Sequence, residues 1–288
     1  MLQPQIAKYV AALEEQSYRV TLKNDAAREA NRAFEDDPFF KATWFSRVWA
    51  ETFRAKLDAL GVSLEPGLRI LDVCCGQGFL GRSLREGSGA DPVFCDISLR
   101  QLRHLKAGFG REGKIEISSG DVTRLPFASA RFDLVTGNSF LHHVPDVPLA
   151  LAEFYRVLRP DGLLILFHEP GERATFWESF PLSLFKDTTI REGPCTDLWM
   201  FAPEDLERLA RQAGFSRVGA KGSGIVSAVL LNWYQLLLIR LGIRNRSLNY
   251  PSYRLRLWLA GLELRWAPRR FDGIQPSLTL LAFRAGSP

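Results

Sequence analysis

Short apolar segments alternate with helical ones between Leu68 and Glu169, and this alternation most constrains the fold of the chain. Five segments predict strands: LRILDVC (68–74), DPVFCD (91–96), KIEIS (114–118), FDLVTGN (132–138) and GLLILFHE (162–169). Helical patterns such as LGRSLREG, SLRQLRHLKAGF and VPLALAEFYRVLRP separate most of them. Apolar strands joined by helices favour a parallel sheet that helices cover on both faces.

The rest of the chain extends this sheet and interrupts it. APEDLERLARQAGF predicts an amphipathic helix, and SRVGAKG and SLTLLAF predict a sixth and a seventh strand. We expect an α/β fold, with a seven-stranded, Rossmann-like, doubly wound sheet, a helical N-terminal lid and two cap insertions. The lid takes residues 1–60 and the sheet domain residues 61–288, with insertions at about 170–200 and 224–272.

The cysteines and the N-terminal residues bear on the cellular compartment. None of Cys74, Cys75, Cys95 and Cys195 forms a C-x-x-C pair, so we expect neither a metal site nor a disulfide framework. The first residues lack the basic segment and apolar core of a secretory signal. Both observations favour a cytoplasmic location.

The second insertion combines an uncharged apolar stretch with basic residues. IVSAVLLNWYQLLLI (225–239) is shorter than the roughly 20 residues that span a bilayer. From Lys221 to Pro288, ten Lys or Arg residues stand against two acidic ones. We favour a pair of helices that cap the substrate, and contact of 224–270 with the surface of a membrane is their second role. A solvated basic helix face is the simpler alternative.

The stretch ILDVCCGQGFLG (70–81) ends the first strand in a glycine-rich turn. From Gly76 it matches the G-x-G-x-x-G dinucleotide fingerprint, so an NAD-dependent oxidoreductase is one interpretation. Asp72 favours another, because an acid before the turn suits a ligand with an ammonium group and no phosphate. Asp96 and Asp121 end the next two strands, where carboxylates suit ribose hydroxyls and an adenine amino group, or cap the segments that follow.

Five stretches in this order, ILDVCCGQG, FCDIS, GDVTRLPF, FDLVTGNSFLHHV and RVLRPDGLLIL, resemble the class I S-adenosylmethionine-dependent methyltransferase family, and its small-molecule branch in particular. The resemblance covers residues 68–170, and more weakly 171–222 and 277–284. It implies that S-adenosylmethionine is the cofactor and that 61–288 is the methyltransferase domain. The Asn/Asp-Pro-Pro-aromatic motif of enzymes that methylate DNA base amines is absent after the fourth strand, so we expect no nucleic-acid substrate.

The resemblance also implies roles for the residues that follow the strands. Asp72 would lie near the methionine amino group, and the turn with Cys74, Gly76 and Gly78 would cradle the amino-acid part. The further assignments are the ribose hydroxyls to Asp96, the adenine face to Ile97, the adenine edge to Asp121 and Val122, and the methionine end to the Asn138 backbone.

Cys74 stands where the family usually has glycine. If the position requires a positive φ, a side chain there costs about 1 kcal/mol. At a negative φ the cysteine is tolerated as a small buried hydrophobe. We expect cofactor binding to survive in either case, and no catalytic role for the thiol.

Methyl transfer from a sulfonium requires alignment of the reacting atoms and, for some acceptors, removal of a proton. Candidate bases are His142 and His143 after the fourth strand, and His168 and Glu169 at the end of the fifth, since histidine titrates near neutral pH. A His-His pair after the fourth strand is also common in the family as part of cofactor-site packing.

Aromatic residues are concentrated in the lid and the two insertions. They predict an enclosed apolar pocket, and hence a lipophilic or aromatic small-molecule acceptor methylated at oxygen, nitrogen or carbon. The alternative is a non-catalytic, methyltransferase-like protein that binds a partner or a membrane. We expect no obligate protein partner.

Overall fold

The computed structural model describes residues 43–109, 115–171, 199–226 and 277–286, with single positions or short runs between 229 and 275. For residues 43–50 it describes the backbone alone. Most of the expected lid and of the first insertion, and much of the second insertion, lie outside the described residues.

The helices follow the amphipathic segments of the sequence. They are α1 (Thr43–Ala59), α2 (Phe79–Ser88), α3 (Leu99–Phe109), α4 (Val147–Val157) and α5 (Pro203–Gln212), with a 3₁₀ turn at Leu141–His143. The start of α4 shows why the boundaries fall where they do. The Asp146 side chain accepts a hydrogen bond from the Leu149 N–H at 2.9 Å, and Pro148 lies in the first turn.

Seven strands form one mixed sheet, in the order β3-β2-β1-β4-β5-β7-β6. They are β1 (Arg69–Val73), β2 (Asp91–Asp96), β3 (Glu116–Ser119), β4 (Phe132–Asn138), β5 (Leu158–Pro170), β6 (Arg217–Ser223) and β7 (Ser277–Phe283). The first five strands pair in parallel, whereas β7 runs antiparallel to both β5 and β6. The strand order reverses between β1 and β4, and ligands of such sheets bind at the carboxyl ends of the strands there.

The seven predicted strands are confirmed, and β2, β4 and β7 have the predicted bounds. The start of β5 differs from the predicted start at Gly162, because the strand begins at Leu158 and runs through Arg-Pro-Asp-Gly (159–162), a sequence typical of a turn. Leu158 pairs with Phe132, and the register then shifts before Leu163 pairs with Leu134. Asp161 takes a φ of 62° in this irregular stretch, so pairing continues past a local turn signal.

Alternate residues of the central strands feed two hydrophobic layers, as the twofold period of a strand requires. One layer joins α1 to the sheet through Phe53, Leu57, Leu134, Ile165 and Phe167. The opposite layer joins α4 and α5 to it through Val135, Leu151, Phe154, Leu164, Leu166 and Leu206. Helices therefore cover both faces, and the expected doubly wound Rossmann-like architecture is confirmed.

Candidate active site

The turn after β1 reverses the chain within a few residues. Cys75 donates its N–H to the Cys95 carbonyl at 3.1 Å, and Gly78 donates to the Cys75 carbonyl at 2.7 Å. Cys74 has a φ of 47°, so the departure from glycine falls at a left-handed position. Burial raises the pKa of the Cys74 thiol well above its ordinary value, which leaves little thiolate at neutral pH. The raised pKa makes the thiol a poor nucleophile at neutral pH, and the absence of a catalytic role stays a prediction.

The three glycines of the fingerprint serve different purposes. A Cβ on Gly81 would lie 2.4 Å from the Phe94 ring, and one on Gly78 would lie 2.7 Å from Leu105. Both glycines therefore let α2 approach the neighbouring strand and helix closely. Gly76 has a φ of 52° and nothing within 4 Å of its would-be Cβ, so its surface faces open space that a ligand can occupy.

Asp72 is buried at the end of β1, and its Oδ2 accepts a hydrogen bond from the Gly81 N–H at 2.9 Å. The pKa of this carboxyl is raised to about 8, mainly by burial and to a smaller extent by the Asp96 charge, while the hydrogen bond from Gly81 acts in the opposite direction. A buried carboxylate is stabilised by a cation. The site therefore suits a ligand that brings a positive charge to this edge of the sheet.

Asp96 holds the glycine turn in place from the end of β2. Its Oδ2 accepts from the Gly76 N–H at 2.8 Å, and its Oδ1 accepts from the Ser98 N–H at 2.8 Å. Ser98, and not Asp96, caps α3, because its hydroxyl oxygen accepts from the Gln101 N–H at 3.3 Å. The assignment of Asp96 to the ribose hydroxyls stays a prediction.

The residues assigned to adenine flank the same edge. Ile97 is 38% exposed, which is unusual for an isoleucine beside a core strand and fits a surface that a flat ring would cover. Val122 is buried. Asp121 accepts from the Thr123 N–H and hydroxyl at 2.9 and 2.7 Å, which orders the loop after β3. Together with the open face of Gly76 and buried Asp72, these residues fit S-adenosylmethionine, although their individual roles stay predictions.

Glu169 organises the loop after β4. Its side chain is fully buried and accepts hydrogen bonds from the N–H groups of Phe140, Leu141 and His142 at 3.1 to 3.2 Å. Its Oε2 also lies 2.8 Å from His142 Nδ1, so the carboxylate fixes the ring with a proton on that nitrogen. This geometry makes Glu169 an orienting group for His142. The His143 ring packs against that of His142, with centroids 3.9 Å apart.

His168 lies on the same side of β5 as its neighbour Phe167, facing α1, because the strand is irregular at this point. The pairing with β7 shifts register between Leu166 and Glu169, and His168 takes a φ of 58°. The His168 ring then meets Phe53 of α1, with centroids 6.1 Å apart. Such a bulge re-aims side chains at the end of a strand.

Both ring nitrogens of His168 have partners. Nδ1 lies 2.6 Å from Asn138 Oδ1, and Nε2 lies 2.7 Å from the Lys56 ammonium. His168 is therefore built into a polar chain, which the sequence-based prediction of a general base did not anticipate. The geometry therefore fits the role of a general base less well for His168 than for His142, whose Nδ1 is directed to Glu169.

Left-handed backbone is concentrated at this edge of the sheet. Cys74, Ser139 and His168 have φ of 47°, 54° and 58°, directly after or near the ends of β1, β4 and β5. Each such residue costs of order 1 kcal/mol, and such strain is common where a site needs a particular geometry. The strain therefore marks the same edge as the predicted cofactor residues.

Lys56 is the site residue that sequence analysis missed. It is fully buried on α1, between Phe53 and Leu57 in the apolar stripe of that helix. A lysine at a core position of a helical pattern is unusual, because a buried ammonium requires a partner. The lysine at an apolar position of the helical pattern of α1 was therefore the sequence signal that could have identified this site residue.

Two kinds of feature are absent from the described part of the chain. No group of three or more His, Cys, Asp or Glu side chains there is placed to hold a metal ion. No helix among the same residues has both the length and the apolar character to cross a membrane.

Comparisons with known proteins agree with the geometry. A family model described as a methyltransferase domain matches residues 71–166. A demethylmenaquinone methyltransferase from Parafrankia sp. (strain EAN1pec) is 31% identical over 202 residues, which cover 59% of this chain and 79% of that enzyme. One from Beutenbergia cavernae is 39% identical over 120 residues, which cover 42% of this chain and about half of that enzyme, 46%.

A solved structure shows the same fold. Haemonchus contortus phosphoethanolamine N-methyltransferase 2, in complex with phosphomonomethylethanolamine and S-adenosylhomocysteine, superposes with a TM-score of 0.58 over 94% of this chain and 61% of that one. The sequence identity is 16%, so this likeness concerns the fold alone. The sequence relatives add the family, and the chain is a methyltransferase that uses S-adenosylmethionine and belongs to the class I S-adenosylmethionine-dependent methyltransferase family.

Proposed function

We propose that the chain transfers the methyl group of S-adenosylmethionine to a lipophilic aromatic acceptor of the quinone type. The observation that carries the proposal is the similarity to demethylmenaquinone methyltransferases, one of which aligns over 79% of its length at 31% identity. The aromatic residues of the insertions support it. Trp199, at the end of the first insertion, donates its indole N–H to the Val144 carbonyl at 2.9 Å. Its aromatic ring is thereby held beside the loop after β4, which carries His142 and His143.

The chain's own residues have distinct tasks in this proposal. The bound cofactor supplies an activated methyl group. Asp72 would pair with the cofactor's ammonium group. Asp96 would hold the glycine turn in place and also bind the ribose hydroxyls. His142, whose Nδ1 proton is directed to Glu169, would accept a proton at Nε2 from an acceptor that must lose one. His143 is a second candidate for that task, since its ring lies against His142.

The direct test is a turnover assay with S-adenosylmethionine carrying a labelled methyl group and a short-chain demethylmenaquinone kept reduced to its quinol by dithionite, because the electrophilic methyl group requires the electron-rich quinol as its acceptor. We expect label in the quinone product, and a loss of at least tenfold in turnover in His142→Ala or His143→Ala. Full turnover in both variants would remove the histidines as bases. Absence of labelled quinone, with binding of the cofactor intact, would remove this acceptor class.

The proposal includes a division of the chain into two parts. We assign residues 1–60 to a helical lid and 61–288 to the methyltransferase domain, with cap insertions at about 170–200 and 224–272. The described helix α1 supports a structural role for the lid, because Phe53 and Leu57 complete one of the two hydrophobic layers. Deletion of 1–60 should therefore expose core surface of the sheet domain, and not merely open the site.

We also propose that residues 224–270 contact the surface of an anionic membrane. Among the described residues at the start of this insertion, large apolar side chains recur three or four positions apart and are at least 45% exposed: Val226, Leu230, Trp233, Leu237 and Leu241. Trp258 and Trp266 are 58% and 75% exposed. An exposed apolar stripe beside a basic segment is typical of peripheral membrane helices, and a lipophilic acceptor resides in the same bilayer.

Co-sedimentation with vesicles tests the membrane proposal. We expect the protein to pellet with phosphatidylserine-containing vesicles at low salt, and the Trp233→Ala/Leu237→Ser variant to remain in the supernatant. Leu149→Ser on α4 is the matched control, since that leucine is 46% exposed on a different element. Equal pelleting of all three proteins would contradict a role for the insertion.

A further inference from the structure

A buried lysine connects the N-terminal helix to the active-site edge of the sheet. The Lys56 side chain is fully buried, and its Nζ lies 2.7 Å from His168 Nε2. The carboxylate of Glu263, from the second insertion, is within electrostatic reach of the same ammonium. Burial of an ammonium costs several kcal/mol unless partners compensate it, so the position is a specific arrangement and not a filler of the core.

The hydrogen-bonding capacity of each group fixes where the protons are. A lysine ammonium only donates, so His168 Nε2 must accept, and the neutral ring then carries its proton on Nδ1. That proton is donated to Asn138 Oδ1 across 2.6 Å. The Asn138 amide is thereby oriented, because its oxygen is used by His168 and its amino group is the remaining donor.

Asn138 is the last residue of β4, at the edge where the strand order reverses. Its side chain is half-buried, and the next residue, Ser139, takes a φ of 54°. Because His168 is also left-handed, strained backbone lies at both ends of the Asn138–His168 contact. The fold therefore maintains this contact at a cost, which is typical of a site that must present a group in one orientation.

We propose that Lys56 is a positioning residue, which acts through His168 to orient Asn138 so that the Asn138 amino group donates a hydrogen bond to an oxygen atom of the methyl acceptor. This inference rests on the proposed function and narrows it. A carbonyl, hydroxyl or phenolate oxygen accepts such a bond, whereas a protonated amine has no lone pair to do so. We call the contacts that join Lys56, His168 and Asn138 the relay. The relay thus favours acceptors with a ring oxygen substituent over acceptors with an ammonium group.

The tautomer of His168 is the first readout, and it is independent of turnover. Protein with ¹⁵N-labelled histidine gives ring-nitrogen signals for the four histidines, and His168→Gln identifies the signal of His168. We expect a protonated Nδ1 and an unprotonated Nε2 in the parent protein. In Lys56→Met the form protonated at Nε2 becomes populated, because the donor at that nitrogen is gone. A parent spectrum with a protonated Nε2 would overturn the relay.

Kinetics with the same short-chain demethylmenaquinone, kept reduced to its quinol by dithionite, give the second readout. We expect Lys56→Met and Asn138→Asp each to raise the KM for the quinone about tenfold, the equivalent of one hydrogen bond, and to leave the Kd for S-adenosylmethionine within twofold. Lys56→Arg keeps a donor and should recover part of the effect. Lys106→Met, an exposed lysine on α3, is the control for loss of a charge and should match the parent.

The two readouts separate the failure of this inference from that of the proposed function. If the parent methylates no quinone, the acceptor class is wrong, and the ¹⁵N spectrum still decides whether Lys56 sets the tautomer. If the quinone is methylated and Lys56→Met changes only the melting temperature, Lys56 is structural and the inference is wrong. Should Lys56→Met fail to fold, Asn138→Asp carries the kinetic test alone, and an unchanged KM there overturns it.

Discussion

The backbone N–H of Gly76 donates to Asp96 Oδ2 across 2.8 Å, so the carboxylate at the end of β2 holds the turn at the end of β1. The other oxygen of Asp96 accepts from the Ser98 N–H. One side chain thereby sets the spacing between the glycine turn and the start of α3, which together border the crevice between neighbouring strands. Shape and chemistry of the cofactor site thus depend on the same carboxylate.

Replacing Asp96 by Asn should therefore weaken both cofactor binding and the fold. The amide retains one acceptor oxygen, so we expect a loss of about 1 to 2 kcal/mol in unfolding free energy. We expect the Kd for S-adenosylmethionine, measured by calorimetry, to rise at least tenfold. Asp91→Asn is the matched control at the other end of the same strand, where the carboxylate is 83% exposed. Equal Kd values for the two variants would contradict a role for Asp96 in the site.

Asp72 should make the stability of the cofactor-free protein depend on pH. The pKa of this carboxyl is about 8 in the folded chain against an ordinary value of 3.8, mainly because of burial. A raised folded pKa stabilises the fold below about pH 4, and this contribution is lost as the pH rises towards 8. Asp72→Asn removes the dependence, so its unfolding free energy relative to the parent should increase from pH 4 to pH 8.

Urea unfolding at several pH values measures this difference. Its slope is at most about 1.4 kcal/mol per pH unit, the value for one proton. The same substitution should abolish cofactor binding, because the cation at the cofactor's amino group loses its partner. A constant difference between Asp72→Asn and the parent across this range would show that Asp72 does not titrate there.

Binding of the cofactor should release a proton at neutral pH. Asp72, with a pKa of about 8, is mostly protonated in the free protein at pH 7, and a bound ammonium group favours its ionised form. We expect the apparent binding enthalpy to vary with the ionisation enthalpy of the buffer, with a slope that approaches one released proton. Binding without proton exchange would show that the carboxyl is already ionised, or that the ammonium lies elsewhere.

The strands and the acidic residues after them could be predicted because both leave local signals. DPVFCD, FDLVTGN and SLTLLAF have the bounds of β2, β4 and β7, since apolar runs bounded by turn residues mark buried strands. Asp72 and Asp96 lie at the ends of adjacent strands, so parallel pairing brings them to one edge. The same stretches carry the resemblance to the methyltransferase family, and this resemblance implied the cofactor.

The relay of Lys56, His168 and Asn138 could not be predicted in this way. It depends on the irregular pairing of β5 with β7, which turns His168 towards α1, and on the packing of α1 against that face. Both are tertiary features that join residues more than a hundred positions apart. The sequence indicated His168 as a candidate base, and it carried no signal of the contacts with Lys56 and Asn138.

Cys74 should tolerate small residues and reject branched ones. Its φ of 47° is unfavourable for any side chain, and most of all for one branched at Cβ. We expect Cys74→Val to lower the unfolding free energy by about 2 kcal/mol. Cys74→Gly should change it by less than about 1 kcal/mol, because relief of strain is opposed by the greater freedom of glycine in the unfolded chain. Equal stability of Val and Gly would mean that the turn relaxes to accept a branched side chain.

Alanine at two glycines of the fingerprint should separate stability from binding. At Gly81 a Cβ would lie 2.4 Å from Phe94 and 2.8 Å from the Asp72 carboxylate, both in the packed interior. Overpacking of this kind costs about 1 to 3 kcal/mol, so Gly81→Ala should lower the melting temperature by several degrees. A Cβ built on Gly76 would have no neighbouring atom within 4 Å, and the φ of 52° costs a side chain only about 1 kcal/mol.

Gly76→Ala should instead place its methyl group in the space that the cofactor needs. We expect a melting temperature within a few degrees of the parent and a Kd for S-adenosylmethionine raised at least tenfold. Thermal melts and calorimetry on the two variants therefore give opposite patterns. If Gly76→Ala binds the cofactor as the parent does, the open face of this glycine is not the cradle, and the cofactor approaches the turn from another side.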